Sequence, residues 1–93
     1  MLSRIPIELS KISKENIDKE ILRMGIIAEY DAISLYEQMA ELAEDEKIKK
    51  ILLDVAKEEK EHVGEFQTLL LERDPELVEE MEEGKREVEE ITR

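Results

Sequence analysis

The 93-residue chain has no cysteine, which excludes disulfides, thiolate zinc sites and iron–sulfur clusters. It has a single histidine, so the strong metal ligands that remain are carboxylate oxygens and one imidazole. This ligand set suits iron or manganese better than a structural zinc ion.

Long apolar runs and positive charge are also scarce. No apolar run approaches the roughly 20 residues of a transmembrane helix, and no positively charged region precedes an apolar signal core. We therefore expect a cytoplasmic protein. Lys and Arg number 14 against 26 Asp and Glu, for a formal net charge of -12. Such acidity argues against nucleic acid and anionic membranes as partners, and it concentrates cations near the surface.

The hydrophobic pattern predicts one small all-α domain, which buries only roughly 60% of its unfolded surface when it stands alone. Residues 1–13 alternate around Pro6 and predict a short extended arm. Three helices are predicted to follow, over residues 14–44, 46–72 and 75–91. The link between the first two is so short that they should form an antiparallel hairpin.

Individual residues mark the helix ends and one contact. Asp45 is the predicted N-cap of the second helix, and Asp74 that of the third, with Pro75 at its first helical position. Gly25 costs the first helix about 1 kcal/mol in propensity. We interpret it as the mark of a close contact between helices.

The second helix carries a predicted buried seam with alternating spacings of four and three residues. Its apolar members are Ile48, Leu52, Val55, Phe66 and Leu69. Glu59 and His62 occupy consecutive positions of the same seam. Burying a carboxylate or an imidazole without a partner costs several kcal/mol. We interpret the partner as a metal ion.

In the first helix, Glu29 and Tyr36 interrupt an otherwise apolar stripe and lie seven residues apart, on one face. The hairpin thus offers one Glu and one Glu-x-x-His. A carboxylate-bridged di-iron bundle needs two of each, so the chain holds half a site. Two identical chains related by a two-fold axis would complete it, with both metals at the interface.

Other interpretations stay open, because 21 of the 93 residues are Glu and a bare Glu-x-x-His is a weak motif. His62 can be a satisfied core histidine or lie at a hydrated helix edge. Glu29 can fix the register of a coiled-coil dimer. Tyr36 can be a packing residue rather than a neighbour of a metal.

Several of these residues resemble one family. Glu29 with Tyr36, Glu59-x-x-His62, and the runs at 32–40 and 54–62 resemble the encapsulated ferritins, two-helix ferritin-like proteins housed in encapsulin nanocompartments. The resemblance covers about residues 21–74. It is strongest to the archaeal form, in which the ferritin-like segment precedes the capsid protein.

The resemblance implies that Glu29, Glu59 and His62 bind iron in a ferroxidase centre of two Fe between two subunits, with Tyr36 beside it. It implies a dimer with a ferritin-like four-helix bundle, a ring that is typically a decamer, and calcium at secondary sites. Some members have a site where metal enters, formed by acidic residues on either side of the first ligand. Asp31 matches one of those positions, whereas Ala28 occupies the other and Leu35 replaces a frequent Trp.

The predicted function is therefore oxidation of Fe(II) to Fe(III), supplying iron for storage inside an encapsulin shell in the cytoplasm, with the shell protein separate or fused. Two alternatives differ in class. One is a rubrerythrin-like di-iron peroxidase, although the rubredoxin-type cysteines are absent. The other is a helical adaptor or capsid-assembly module without catalysis, in which Glu and His only set the register.

Overall fold

The computed structural model describes residues 8–93, and these form helices and no strand, as the hydrophobic pattern predicts. A short 3-10 turn at Leu9–Lys11 precedes α1 (Ile17–Leu42), α2 (Glu46–Arg73) and α3 (Pro75–Ile91). None of the helices in this part of the chain is both long and apolar enough to cross a bilayer.

The segment before α1 differs from the sequence-based expectation. Residues 1–7 of the predicted arm lie outside the described residues. Lys11 N donates to Glu8 O at 3.0 Å, so the chain turns there instead of running extended. Helix α1 begins three residues later than predicted, because Asn16 bonds Ser13 through its main chain at 3.0 Å and through its side chain at 3.1 Å. Such local side-chain bonds compete with helix formation.

The caps fix the start of the two later helices. Asp45 Oδ1 accepts from Lys47 N at 2.7 Å and from Ile48 N at 3.3 Å, which satisfies free donors at the start of α2. Asp74 Oδ1 accepts from Leu77 N at 3.1 Å, and Pro75 begins α3. Both aspartates are therefore the capping residues that the sequence predicts.

Helices α1 and α2 form an antiparallel hairpin, whose buried apolar residues are Ile33, Ala40, Ala56, Val63 and Leu70. The predicted seam of α2 is wrong by one position at its centre. Val63 and Leu70 are buried, whereas His62 is half-buried and Leu69 exposed. Helix α2 has two adjacent apolar stripes, and the one with the small residues Ala56 and Val63 packs against α1.

The other stripe of α2 is only partly covered in the single chain. We call it the open stripe, and by helical periodicity it consists of Ile48, Ile51, Val55, His62 and Leu69. Three of its apolar members, Ile48, Ile51 and Leu69, are exposed. His62 thus lies on a face of α2 whose apolar side chains are mostly exposed.

Helix α3 is held at its beginning. Arg23 on α1 bonds Glu20 at 2.6 Å and reaches Asp74 at 3.3 Å, tying α1 to the joint between α2 and α3. No residue of α3 is buried, and its apolar residues Val78, Met81, Val88 and Ile91 are exposed. The metal-ligand candidates all lie in the hairpin.

Candidate metal centre

The hairpin brings together three of the side chains that the sequence singles out. Glu29 comes from the middle of α1, and Glu59 and His62 lie one turn apart on α2. One donor atom from each lies within 4.8 Å of the others. Glu29 Oε2 is 3.4 Å from His62 Nδ1, and Glu59 Oε2 is 3.5 Å from the same nitrogen.

The local fold explains why these side chains meet. Residues three apart on a helix share a face, so Glu59 and His62 point to one side of α2. The antiparallel pairing then places Glu29 of α1 at the same level as His62. All three donors are carried by long helices rather than loops, which favours precise positioning.

The distances suit ligands of one cation better than a hydrogen-bonded cluster. An N–H···O bond is normally 2.7–3.2 Å, and a neutral imidazole has one N–H, which cannot serve two carboxylates well from one nitrogen. Donors bound at about 2.1 Å from one ion, at tetrahedral or octahedral angles, are about 3.0–3.4 Å apart. The observed 3.4 and 3.5 Å are close to that spacing.

The charges of the cluster also fit a cation. The side chains of Glu29 and Glu59 are 16% and 20% exposed, and that of His62 is 44% exposed. Within residues 8–93, neither carboxylate forms an ion pair with Lys or Arg. Lys60, next to Glu59 in sequence, pairs with Glu37 at 2.8 Å instead. Two carboxylates thus lie together in a partly buried place, and His62 is the basic side chain beside them.

One chain supplies fewer donors than a carboxylate-bridged di-iron centre requires. Two carboxylates and one imidazole leave coordination positions open on an iron ion, which prefers more ligands than three. His62 lies in line with Val55 and Leu69 of the open stripe.

Tyr36 and Asp31 do not belong to the donor cluster. Tyr36 is half-buried on the same face as Glu29, about 10 Å further along α1. Asp31 is buried, with 7% of its surface exposed. It lies about 200° around the helix from Glu29, on a different face. The suggested site where metal enters, at Asp31, stays a prediction.

Two contacts near the cluster join residues that the sequence does not predict as pairs. The Lys60–Glu37 ion pair has no sequence signal, because acidic and basic residues are frequent on both helices. Phe66 packs against Gly25, so the close helix contact predicted at that glycine is confirmed. In the sequence, Gly25 indicates a close helix contact, but it does not identify Phe66 as the partner.

Comparison with known proteins gives consistent relationships. A family model described as rubrerythrin matches residues 20–92. The ferritin-like–encapsulin shell fusion protein of Pyrococcus furiosus is 66% identical over 73 residues, which are 78% of this chain and 21% of that protein. The encapsulin nanocompartment cargo protein EncC of Myxococcus xanthus is 37% identical over 70 residues, which are 72% of this chain and 54% of that protein.

The fold has a close counterpart among solved structures. The crystal structure of the encapsulated ferritin domain from Pyrococcus furiosus matches with a TM-score of 0.85 and 56% identity, covering 99% of this chain and 96% of that one. The chain spans about a fifth of the length of the fusion protein and about half of that of the cargo protein.

Proposed function

The chain belongs to the encapsulated ferritins, within the rubrerythrin family, and we propose that it is a ferroxidase that oxidises Fe(II) to Fe(III) at a di-iron centre shared between two subunits. The observation that carries the proposal is the convergence of Glu29, Glu59 and His62, with their donor atoms within 4.8 Å of one another. These are the ligand types of a carboxylate-bridged di-iron bundle, in half the required number.

A second copy of the chain supplies the other half. Two hairpins related by a two-fold axis provide four carboxylates and two imidazoles for two Fe(II) ions. Four negative charges then face four positive charges, so the assembled centre is close to neutral. A single chain has no such balance, which favours assembly around the metal.

The open stripe supports the position of the second copy. His62 lies on the same face of α2 as the exposed side chains Ile48, Ile51 and Leu69. Contiguous exposed apolar surface commonly marks an interaction site. Pairing two open stripes would bury this surface and bring the two donor clusters together in a four-helix bundle.

Each residue of the centre has a defined task in the proposed reaction. The iron is the substrate: two Fe(II) would each give one electron to O2, which would take up two protons from solvent and leave as hydrogen peroxide. Glu29 and Glu59 bind the ions through oxygen atoms that can chelate one ion or bridge two, and so follow the change in charge. His62 contributes a neutral nitrogen donor, which fixes the position of each ion. Tyr36 lies on the same face as Glu29, about two helical turns further along α1, and its proposed role is near the centre but not as a metal ligand.

The relatives support a wider setting. One is named as a fusion with an encapsulin shell and another as an encapsulin cargo protein. We therefore propose that this chain supplies Fe(III) for storage inside an encapsulin shell, to which it is fused or in which it is enclosed. A ring of dimers, typically a decamer, calcium at secondary sites and metal passage at Asp31 are further parts of the proposal.

Rapid mixing of anaerobic Fe(II)-loaded protein with O2 tests the activity. His62→Ala is expected to slow Fe(III) formation by at least about a hundredfold, because the variant loses one donor at each metal. Glu61→Ala is the matched control, since Glu61 is exposed on the same turn and is outside the donor cluster. Equal oxidation rates in His62→Ala and the parent would contradict the assigned centre.

A further inference from the structure

Gly25 occupies a position where glycine is unfavourable for the helix itself. It lies inside α1, and glycine is a poor helix former. A methyl group added at Gly25 would lie 3.2 Å from Phe66 Cδ2 and 3.3 Å from Phe66 Cε2. The same addition at Gly64 or Gly84 meets nothing within 4 Å. Gly25 is therefore the glycine whose missing side chain admits a neighbour.

The neighbour is the single phenylalanine of the chain, and it lies next to the donor cluster. Gly25 precedes Glu29 by four residues on α1, and Phe66 follows His62 by four residues on α2. Because the two helices are antiparallel, the Gly25–Phe66 contact and the Glu29–His62 contact are adjacent layers of the hairpin. The layers are about 6 Å apart along the helix axes.

We propose that Gly25 and Phe66 form a spacer that sets the separation of α1 and α2 at the donor cluster, and thereby the affinity and coordination geometry of the bound divalent cation. Both are positioning residues, since neither carries a metal-binding group. The inference rests on the proposed function in one respect, that Glu29, Glu59 and His62 bind a metal ion.

The contact distances show why the spacer is sensitive. Carbon atoms pack best at about 3.5–4.0 Å, so a methyl group at 3.2 Å forces the ring or one helix to move by a few tenths of an ångström. Metal sites need their ligands held within about 0.5 Å of the productive geometry. Glu29 reaches the centre from α1 and His62 from α2, so a change in helix separation alters the distance between them directly.

Variants at both positions test the spacer from opposite sides. Gly25→Ala adds volume to the layer, and Phe66→Leu removes it. Each is expected to weaken Co(II) binding about tenfold, the lower end of the usual effect of residues that support metal ligands. The combined variant Gly25→Ala/Phe66→Leu should bind Co(II) nearly as well as the parent, because the methyl group occupies space left by the smaller side chain. Such non-additivity is the signature of direct contact.

The visible absorption of bound Co(II) gives a readout of coordination geometry that is independent of catalysis. It should change in each single variant and return toward the parent spectrum in the combined one. Gly64→Ala is the control. It should bind Co(II) with unchanged affinity and spectrum, and it should melt at a higher temperature, because alanine favours the helix and meets no neighbour there.

The outcomes separate the spacer from the proposed activity. Parent-like Co(II) affinity and spectrum in both single variants would overturn the spacer, even if the parent oxidises Fe(II). Additive losses in the combined variant would overturn it as well. If Gly25→Ala does not fold, parent-like Co(II) binding by Phe66→Leu overturns the spacer, and weakened binding with an altered spectrum supports it. A parent that binds Co(II) but does not oxidise Fe(II) would contradict the ferroxidase alone, while the variant comparison would still decide the spacer.

Discussion

At the scale of single residues, the centre combines carboxylates that are unfavourable together in the absence of a cation. Glu29 and Glu59 are mostly removed from water, and both approach the same imidazole nitrogen. Removing charged groups from water is costly unless an opposite charge compensates. Lys60 is close in sequence but is engaged by Glu37. A cation bound at the proposed centre would offset the cost of holding these two carboxylates together.

Glu29→Gln separates charge from volume at this site. The amide keeps the shape of the side chain, so the metal-free dimer should be at least as stable as that of the parent. Metal affinity should fall by at least about tenfold, or about 1.4 kcal/mol, because an anionic ligand is lost from each half of the centre. Thermal melting with and without Zn(II), a redox-inert substitute, measures both effects. Glu61→Gln on the exposed side of α2 is the control.

The opposite result has a clear meaning. If Glu29→Gln shifts the melting temperature by the same amount with and without Zn(II), then Glu29 acts in packing or register and not as a metal ligand.

At the scale of helices, the two apolar stripes of α2 have different partners. The stripe with Ala56 and Val63 packs against α1, and the open stripe is available to a second chain. Ile51 lies within about 20° of His62 around the helix axis, whereas Leu53 lies about 180° from it. Both side chains are exposed, at 64% and 48%. This pair therefore offers a matched comparison between two faces of one helix.

Ile51→Lys is expected to prevent dimerisation and to lower the rate of Fe(II) oxidation by at least about a hundredfold, since a charge buried in an apolar interface is costly. Leu53→Lys introduces the same charge on the opposite face and should leave the dimer and the oxidation rate close to those of the parent. Sedimentation analysis and oxidation assays of both variants provide the comparison. Dimers of Ile51→Lys with parent-like activity would place the interface elsewhere.

The same two stripes show what the sequence reveals about the helices. The caps Asp45 and Asp74 have specific chemistry, so the beginnings of α2 and α3 follow from sequence. Val55 and Ala56 both belong to apolar repeats with helical spacing, and periodicity does not say which repeat faces α1. The seam was therefore misplaced by one residue, because the partner of each stripe depends on tertiary and quaternary contacts.

The sequence predicts which residues form the candidate site, but it does not predict the distances between their donor atoms. The Glu59-x-x-His62 spacing and the position of Glu29 on its helix place three donors on facing sides of a hairpin. The separation of those donors depends on how closely the helices approach. That distance is set by contacts such as Gly25 with Phe66, whose pairing becomes visible only in the folded chain.

At the scale of the whole molecule, a formal net charge of -12 opposes the association of two chains, and metal binding at the proposed shared site would favour it. Zn(II) is therefore expected to shift metal-free protein from small species toward the dimer and its ring. At a free metal concentration a hundredfold above the dissociation constant, the stabilisation is about 2.7 kcal/mol. Size-exclusion chromatography with light scattering across a Zn(II) titration measures the shift. A helical adaptor would instead show an oligomer distribution that ignores metal.

The central claim is that one di-iron centre belongs to two chains, and native mass spectrometry of the anaerobic Fe(II)-loaded protein tests it most directly. The expected result is two iron ions per pair of chains in every assembly that carries metal, with no iron retained by monomers. The His62→Ala variant should show no such stoichiometric binding under the same conditions. A monomer that holds two iron ions tightly, or parent dimers that do not reach two iron ions even at saturating Fe(II), would contradict a centre shared between subunits.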